Sequence, residues 1–588
     1  LTTVFIPESV KYIGYSAFSD CSKLKDIYYG GSEEQWKSNH LYDFTDKEVV
    51  IHYAKPDTHS IVKVEEKPST CTETGIRAHY ECTMCGKVFL DEAGTSETTL
   101  EELTLPLQPH TLDHVEAVES TYFKQGNREY YRCQICGKCF VDSQGEQETT
   151  EEDRKLDLLP SYARGDCGLY YSSVVQWVLL EDGTLIISGR GEIDNYSTYS
   201  SWRAPWSDTG KEIVTLIIES GVTGIGSYAF YDCSSLMSVS IPDSVVNIES
   251  GAFEGCSSLM SVSIPDCVVS IGESAFEGCS SLMNVNIPEN VTSIKNETFY
   301  RCKSLKSIVI PEGVTNIGSR SFSGCSGLTS VTIPEGITSI ENSVFYGCSG
   351  LTSVSIPESV TSIGESAFSG CSSLTSVSIP DGVTSIGSMA FSDCRGLISV
   401  SIPEGVTILA SGTFYNCTGL KTITLPEGLL TIADGDRNYG VLQNCTSLKS
   451  VYIPAGATSI GVFAFKGCSE LVNVSIPDSV TKVGQCVFDG CCSLTSVSIP
   501  EGVTSIGGRT FADCTSLTDV RLPSTVTRIG WASFYNCTSL TSIDIPLSVT
   551  SIERAAFSHC SSLVNVNIPE NVESIGTFAF SECSSLTS

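Results

Sequence analysis

Two short stretches carry the residues best suited to chemistry, Tyr80-Glu-Cys82-Thr-Met-Cys85-Gly86-Lys87 and Tyr131-Arg-Cys133-Gln-Ile-Cys136-Gly137-Lys138. They lie 51 residues apart, and each is a Cys-x-x-Cys-Gly knuckle. Such a knuckle puts two thiolates on one side of a tight turn, where they grip one tetrahedral metal, usually zinc. Read within each copy, the first ligand set is His59, Cys71, Cys82 and Cys85. The second is His110, Cys133 and Cys136, with Cys139 as the remaining candidate, because Tyr122 stands where Cys71 would align. A disulfide within each pair, or unpaired thiols, is the competing reading. The doubled knuckle favours structural zinc as the cofactor. No Glu-bearing His motif accompanies the thiols, so a catalytic zinc is not expected.

Little else in the chain suggests a reaction. The seven histidines are His40, His52, His59, His79, His110, His114 and His559, and no Ser/His/Asp grouping, P-loop or Rossmann glycine pattern stands in a suitable context. The protein is therefore expected not to be an enzyme. With 35 basic and 68 acidic side chains its net charge is −33. That balance disfavours nucleic acid and anionic lipid, both of which are bound through Lys and Arg. The hydrophobic share of 41% is that of a folded chain, and no apolar run reaches the length of a membrane span.

The knuckles lie between stretches built on a different pattern. From Ile213 onward a 23-residue unit recurs, clean in Leu374-Thr-Ser-Val377-Ser-Ile379-Pro380-Asp-Gly-Val383-Thr-Ser-Ile386-Gly387-Ser-Met-Ala390-Phe391-Ser-Asp-Cys394. Such a period means stacked repeats. Val377 and Ile379 alternate with Ser376 and Ser378, which predicts a strand wet on one face, and the proline ends it. Val383 and Ile386 predict a second short extended piece; Ala390-Phe391-x-x-Cys394 predicts a short helical or irregular turn. Turns about 4.8 Å apart would stack the cysteines with parallel Cβ vectors, poor geometry for disulfides. Most of the 27 cysteines are therefore expected to act as small buried hydrophobes.

The S-I-P-x-x-V-T-S-I-G-x-x-A-F-x-x-C signature resembles that of the BspA-like leucine-rich-repeat surface proteins of bacteria and some protozoa. The resemblance implies a secreted or cell-surface protein acting in adhesion. The expected fold is an α/β solenoid rich in β: a right-handed parallel β-stack with short helical turns, plus small β-rich Cys-x-x-Cys modules. The expected domains are the end and cap of an earlier array (1–55), module one (56–108), module two (109–160), an N-terminal cap (161–212) and the main array (213–588). In the first, Ser32 is expected to cap a short helix. In the fourth, a hairpin on Asp182-Gly183 precedes aromatics that either shield the first turn of the core, the commoner role, or form a sugar-stacking patch. The chain starts and stops inside repeats, so it reads as a fragment, and a missing signal peptide or anchor carries no weight.

Two places could contact a partner. Tyr452, Arg521 and Asp544 interrupt the Ser/Thr/Asn row at the position of Ser378. Asp436, Arg437 and Tyr439 lie in the one longer unit, ending at Cys445, and insertions in solenoids are often functional. The acids that follow each proline, such as Asp381 and Glu404, read as a solvated edge. The function that fits is non-catalytic binding of an extracellular protein or glycan by a monomeric array. A targeting scaffold for an enzyme domain elsewhere and a cell-wall spacer are the alternatives.

Overall fold

The computed structural model describes residues 2–14, 17–39, 48–53, 59–168, 174–199, 202–436 and 439–587. The chain forms two compact units, Leu1–Leu159 and Pro160–Ser588.

The larger unit is a parallel β-solenoid. Nearly every turn contributes two short strands, each paired in parallel with its counterpart one repeat away; beside Val377 the first strand is reduced to a single bridge from Ser376 to Ser399. Ser330–Thr332 pairs with Ser353–Ser355, and Ser362–Ile363 pairs with Ser385–Ile386. Alternation sorts the side chains: Val354 is buried while Ser353 and Ser355 are exposed. No unit could cover its own apolar edge, but stacking merges the inward Leu, Val, Ile, Phe and Cys residues into one continuous core.

The Ala-Phe-x-x-Cys corner differs from a helical turn. Met389 and Asp393 have φ of 57° and 56°, and the same two places are left-handed in almost every repeat. A left-handed residue every fourth position breaks an α-helix. The backbone bonds are divided instead. The Ala390, Ser392 and Cys394 amides donate three residues back, at 3.0–3.3 Å, whereas those of Met389, Phe391 and Asp393 donate forward to Ser411, Thr413 and Tyr415 of the next turn at 2.8–2.9 Å. The corner thus adds a third inter-turn ladder to the two of the strands.

Phenylalanines stack through this corner from Phe230 to Phe414 with centroids 5.2–5.7 Å apart. Leu442 takes the position in the longer unit, and stacking resumes from Phe465 to Phe580. Trp206 closes the stack: its ring lies 5.3 Å from Phe230 and its indole N–H donates to the Ala229 carbonyl at 3.0 Å. Trp177 and Tyr196 meet Trp206 edge-on. The expected hairpin is formed by Val174–Leu179 and Thr184–Glu192, and its second strand pairs in parallel with Thr215–Ile218 to start the array.

In the smaller unit, strands Thr3–Ile6, Asp26–Tyr29 and Val50–Tyr53 form a parallel sheet. Helix Glu33–Ser38 begins at Ser32, whose hydroxyl accepts from the Gln35 amide while the Gln35 side chain accepts from the Ser32 amide. Its Trp36 packs on Tyr29 and Tyr53. Two small antiparallel modules follow. The first is built on Ile61–Val64, His79–Cys82, Val88–Phe89 and Glu97–Thr98, the second on Leu112–Val115, Tyr130–Cys133 and Cys139–Phe140.

Candidate functional site

Each knuckle is the tip of a hairpin. Cys82 ends one strand, Val88 begins the next, and between them the Cys82 carbonyl accepts from Gly86 at 2.8 Å. Gly86 and Gly137, at φ of 71° and 74°, supply the left-handed turn that follows each second cysteine. His59 and His110, each two residues ahead of strands Ile61–Val64 and Leu112–Val115, are held against Phe89 and Phe140 at 4.7 and 4.5 Å.

Two groups of ligand atoms result, and the grouping differs from the in-copy reading. Cys71, His110, Cys133 and Cys136 bring four ligand atoms within 4.8 Å of one another; His59, Cys82 and Cys85 form a second group of three. Cys71 therefore sits with the second module's ligands. The reason is local: Thr70 and Glu73 close a tight turn, and the Thr70 carbonyl accepts at 3.0 Å from the Gln108 amide, two residues before His110. Cys71 is consequently buried with Cys133 and Phe140. Cys139 joins neither group. It adjoins Phe140 on the same strand, so with Phe140 facing the cluster its own side chain faces away. Among the described residues no disulfide forms; Cys71 Sγ and Cys133 Sγ are 3.8 Å apart.

The electrostatics favour a thiolate at the first cysteine of each knuckle. Burial works to raise Cys133, but the Cys136 amide, His110 and the Ile135 amide outweigh it and hold the thiol at about 6. Burial likewise opposes the Cys85 and Met84 amides at Cys82, which rests at about 7. Cys71 shows the reverse: burial and its hydrogen bonds with Cys136 and Cys133 push it up to about 11. The neighbouring thiols of Cys133 and Cys136 add to this by disfavouring a further negative charge beside them.

On the solenoid, Tyr452, Arg521 and Asp544 are exposed at the ends of strands Ser450–Tyr452, Asp519–Arg521 and Ser542–Asp544. They occupy one outward row, in register with Ser475, Ser498 and Asn567. The smaller unit carries an aromatic version of this row that sequence reading missed. Phe5, Tyr28 and His52 are in register and stack at 5.1 and 4.4 Å, with His52 also 3.0 Å from Asp26. The signal was available, since Phe5 follows Val4 and precedes Ile6 as Ser378 does between Val377 and Ile379.

In the longer unit, Asp436 and Tyr439 close a tight bridge, the Asp436 amide donates to Ser411 Oγ at 2.8 Å, and Tyr439 packs edge-on to Tyr415. Arg437 lies outside the described residues. A recess of about 200 Å³ opens beside Trp206, Arg203 and Tyr228.

These features define a leucine-rich-repeat solenoid with inserted Cys-x-x-Cys modules. The BspA type leucine rich repeat region matches in six copies, over residues 1–55, 209–329, 315–436, 437–563 and 485–588, and the chain belongs to that family. A leucine-rich repeat protein from Bacteroides ovatus is similar at 30% identity, covering 70% of this chain and 92% of that one, with a TM-score of 0.48. One from Eubacterium ventriosum is 25% identical over 68% and 95% of the two chains, with a TM-score of 0.38. A leucine rich cell surface protein from Faecalibacterium prausnitzii is 28% identical over 68% and 94%, with a TM-score of 0.33. No curated protein matches. No helix among the described residues is long and apolar enough to cross a membrane.

Proposed function

We propose that this chain is a non-catalytic extracellular binding protein that adheres to protein or glycan surfaces through the outward strand row of its repeats. Leucine-rich-repeat proteins commonly bind proteins. The observation that carries the reading is the row itself: small polar residues over many turns, broken by Tyr452, Arg521 and Asp544. Repeat stacking makes such a row a long contact face, where weak contacts add up. The family resemblance supports a surface location. Zinc held by the Cys-x-x-Cys modules is part of the same reading; it would fasten small domains whose own cores are slight.

The test passes the intact protein over immobilised matrix proteins and glycans. Saturable binding to at least one supports adhesion. Silence across the panel would sink the proposal in favour of a spacer.

A further inference from the structure

We propose that one zinc ion bound by Cys71, His110, Cys133 and Cys136 clamps the two Cys-x-x-Cys modules together, the first module donating its lone cysteine forward to complete the second module's site. This rests on the reading that these modules hold zinc. The distances fit. Tetrahedral zinc, with Zn–S bonds of about 2.3 Å and Zn–N bonds of about 2.0–2.1 Å, sets neighbouring sulfurs about 3.8 Å apart and sulfur from nitrogen about 3.6 Å apart. Cys71 Sγ to Cys133 Sγ is 3.8 Å and Cys136 Sγ to His110 Nδ1 is 3.6 Å. A disulfide would need about 2.05 Å. On binding, the thiols give up their protons, and the divalent cation relieves the repulsion among them.

Forward donation also accounts for the asymmetry between the copies. Tyr122 occupies the place of Cys71 and lies in the same kind of turn, the Thr121 amide donating to Lys124 as that of Thr70 does to Glu73. Its carbonyl-bearing neighbour Thr121 accepts from Leu159, the counterpart of Gln108. Beyond Leu159 the chain enters the solenoid cap, so no third knuckle exists to receive a cysteine from position 122. Among the described residues the first module's site gathers His59, Cys82 and Cys85, two of them exposed. A four-ligand buried site binds more tightly than a three-ligand open one, so the two ions should leave separately.

The test uses the intact protein loaded with zinc, stripped stepwise with a chelator, and pulsed with an alkylating reagent at each step. Peptide mass spectrometry then reports each cysteine. Labelling of Cys71 should rise together with Cys133 and Cys136, at chelator levels above those that release Cys82 and Cys85. If Cys71 instead follows Cys82 and Cys85, or ignores the chelator while the knuckles respond, forward donation is wrong and zinc in the modules stands. If the protein binds no zinc, both ideas fall. A second measurement substitutes cobalt(II) in a Cys82→Ser/Cys85→Ser background. Adding Cys71→Ser should cut the thiolate-to-cobalt absorption by about one third, since charge-transfer intensity follows the number of thiolate ligands. Unchanged absorption would overturn the clamp.

Discussion

Cys394 donates its thiol proton to the carbonyl of Phe368, one turn back, at 3.2 Å. The same bond recurs along the ladder, from Cys256 on Phe230 to Cys583 on Phe557, at 3.1–3.3 Å. These cysteines are therefore more than small apolar fillers. From Phe230 to Phe557 the corner phenylalanines give their amides to the following turn, and their carbonyls accept that turn's thiol as well.

This ladder makes stability fall at alkaline pH. Burial pushes the thiols of Cys279, Cys325 and Cys468 up to about 12. In the unfolded chain they ionise near pH 8.5. Above that pH the unfolded state sheds protons that the native state keeps, so stability is complete below about 8.5 and declines as pH rises toward the native values. Denaturant midpoints measured with reductant at pH 7.5, 9.5 and 10.5 should drop steadily. A flat profile would contradict the buried thiol ladder.

The same burial protects the thiols chemically. Within the solenoid, native protein should react with a thiol reagent at the exposed Cys267 and Cys492, while the buried ladder cysteines react only after unfolding. Fast native labelling at Cys371 or Cys394 would mean that the corners open readily.

Phe391 stacks on Phe368 at 5.3 Å and on Phe414 at 5.6 Å, fully buried. Phe391→Ala should cost about 3–5 kcal/mol. Because repeats touch only their neighbours, hydrogen exchange should quicken within a turn or two of the change and much less in the distant cap. Uniform loosening of the whole array would argue against nearest-neighbour stacking.

Asp489 is buried in a corner position where Ser369 and Ser392 stand in other turns. Arg509 forks onto its carboxylate at 2.9 and 3.2 Å, and Lys466 lies 3.2 Å away. Arg509→Ala should cost about 3 kcal/mol by leaving a buried charge compensated by Lys466 alone. Adding Asp489→Ser should recover most of that loss, since it restores the common residue. Equal destabilisation in the double variant would show that the pair is not what matters there.

The solenoid was legible because its inward positions scarcely vary: Val383, Ile386 and Phe391 recur with the same neighbours, and only a stacked repeat satisfies all of them. The cap helix was legible from Ser32 and the acids Glu33 and Glu34 of its first turn. The corner was not, because its left-handed residues include Met389 and Ser366, whose types carry no turn signal. What fixes them is the inter-turn amide ladder, which no single repeat displays. The candidate metal ligands were legible as residues but not as sets. Sequence order assigns Cys71 to the knuckle that follows it, whereas the turn at Thr70 and its bond to Gln108 carry it to the next module.

Adhesion through the outward strand row requires the side chains that break it to contribute to binding. The measurement that tests it most directly compares the intact protein with the Tyr452→Ala/Arg521→Ala/Asp544→Ala variant, on whichever immobilised protein or glycan the intact chain binds. All three side chains are exposed, so the melting temperature should stay within a degree or so while binding weakens at least tenfold. Undiminished binding by a variant that melts normally would contradict the claim and move the contact surface off this row.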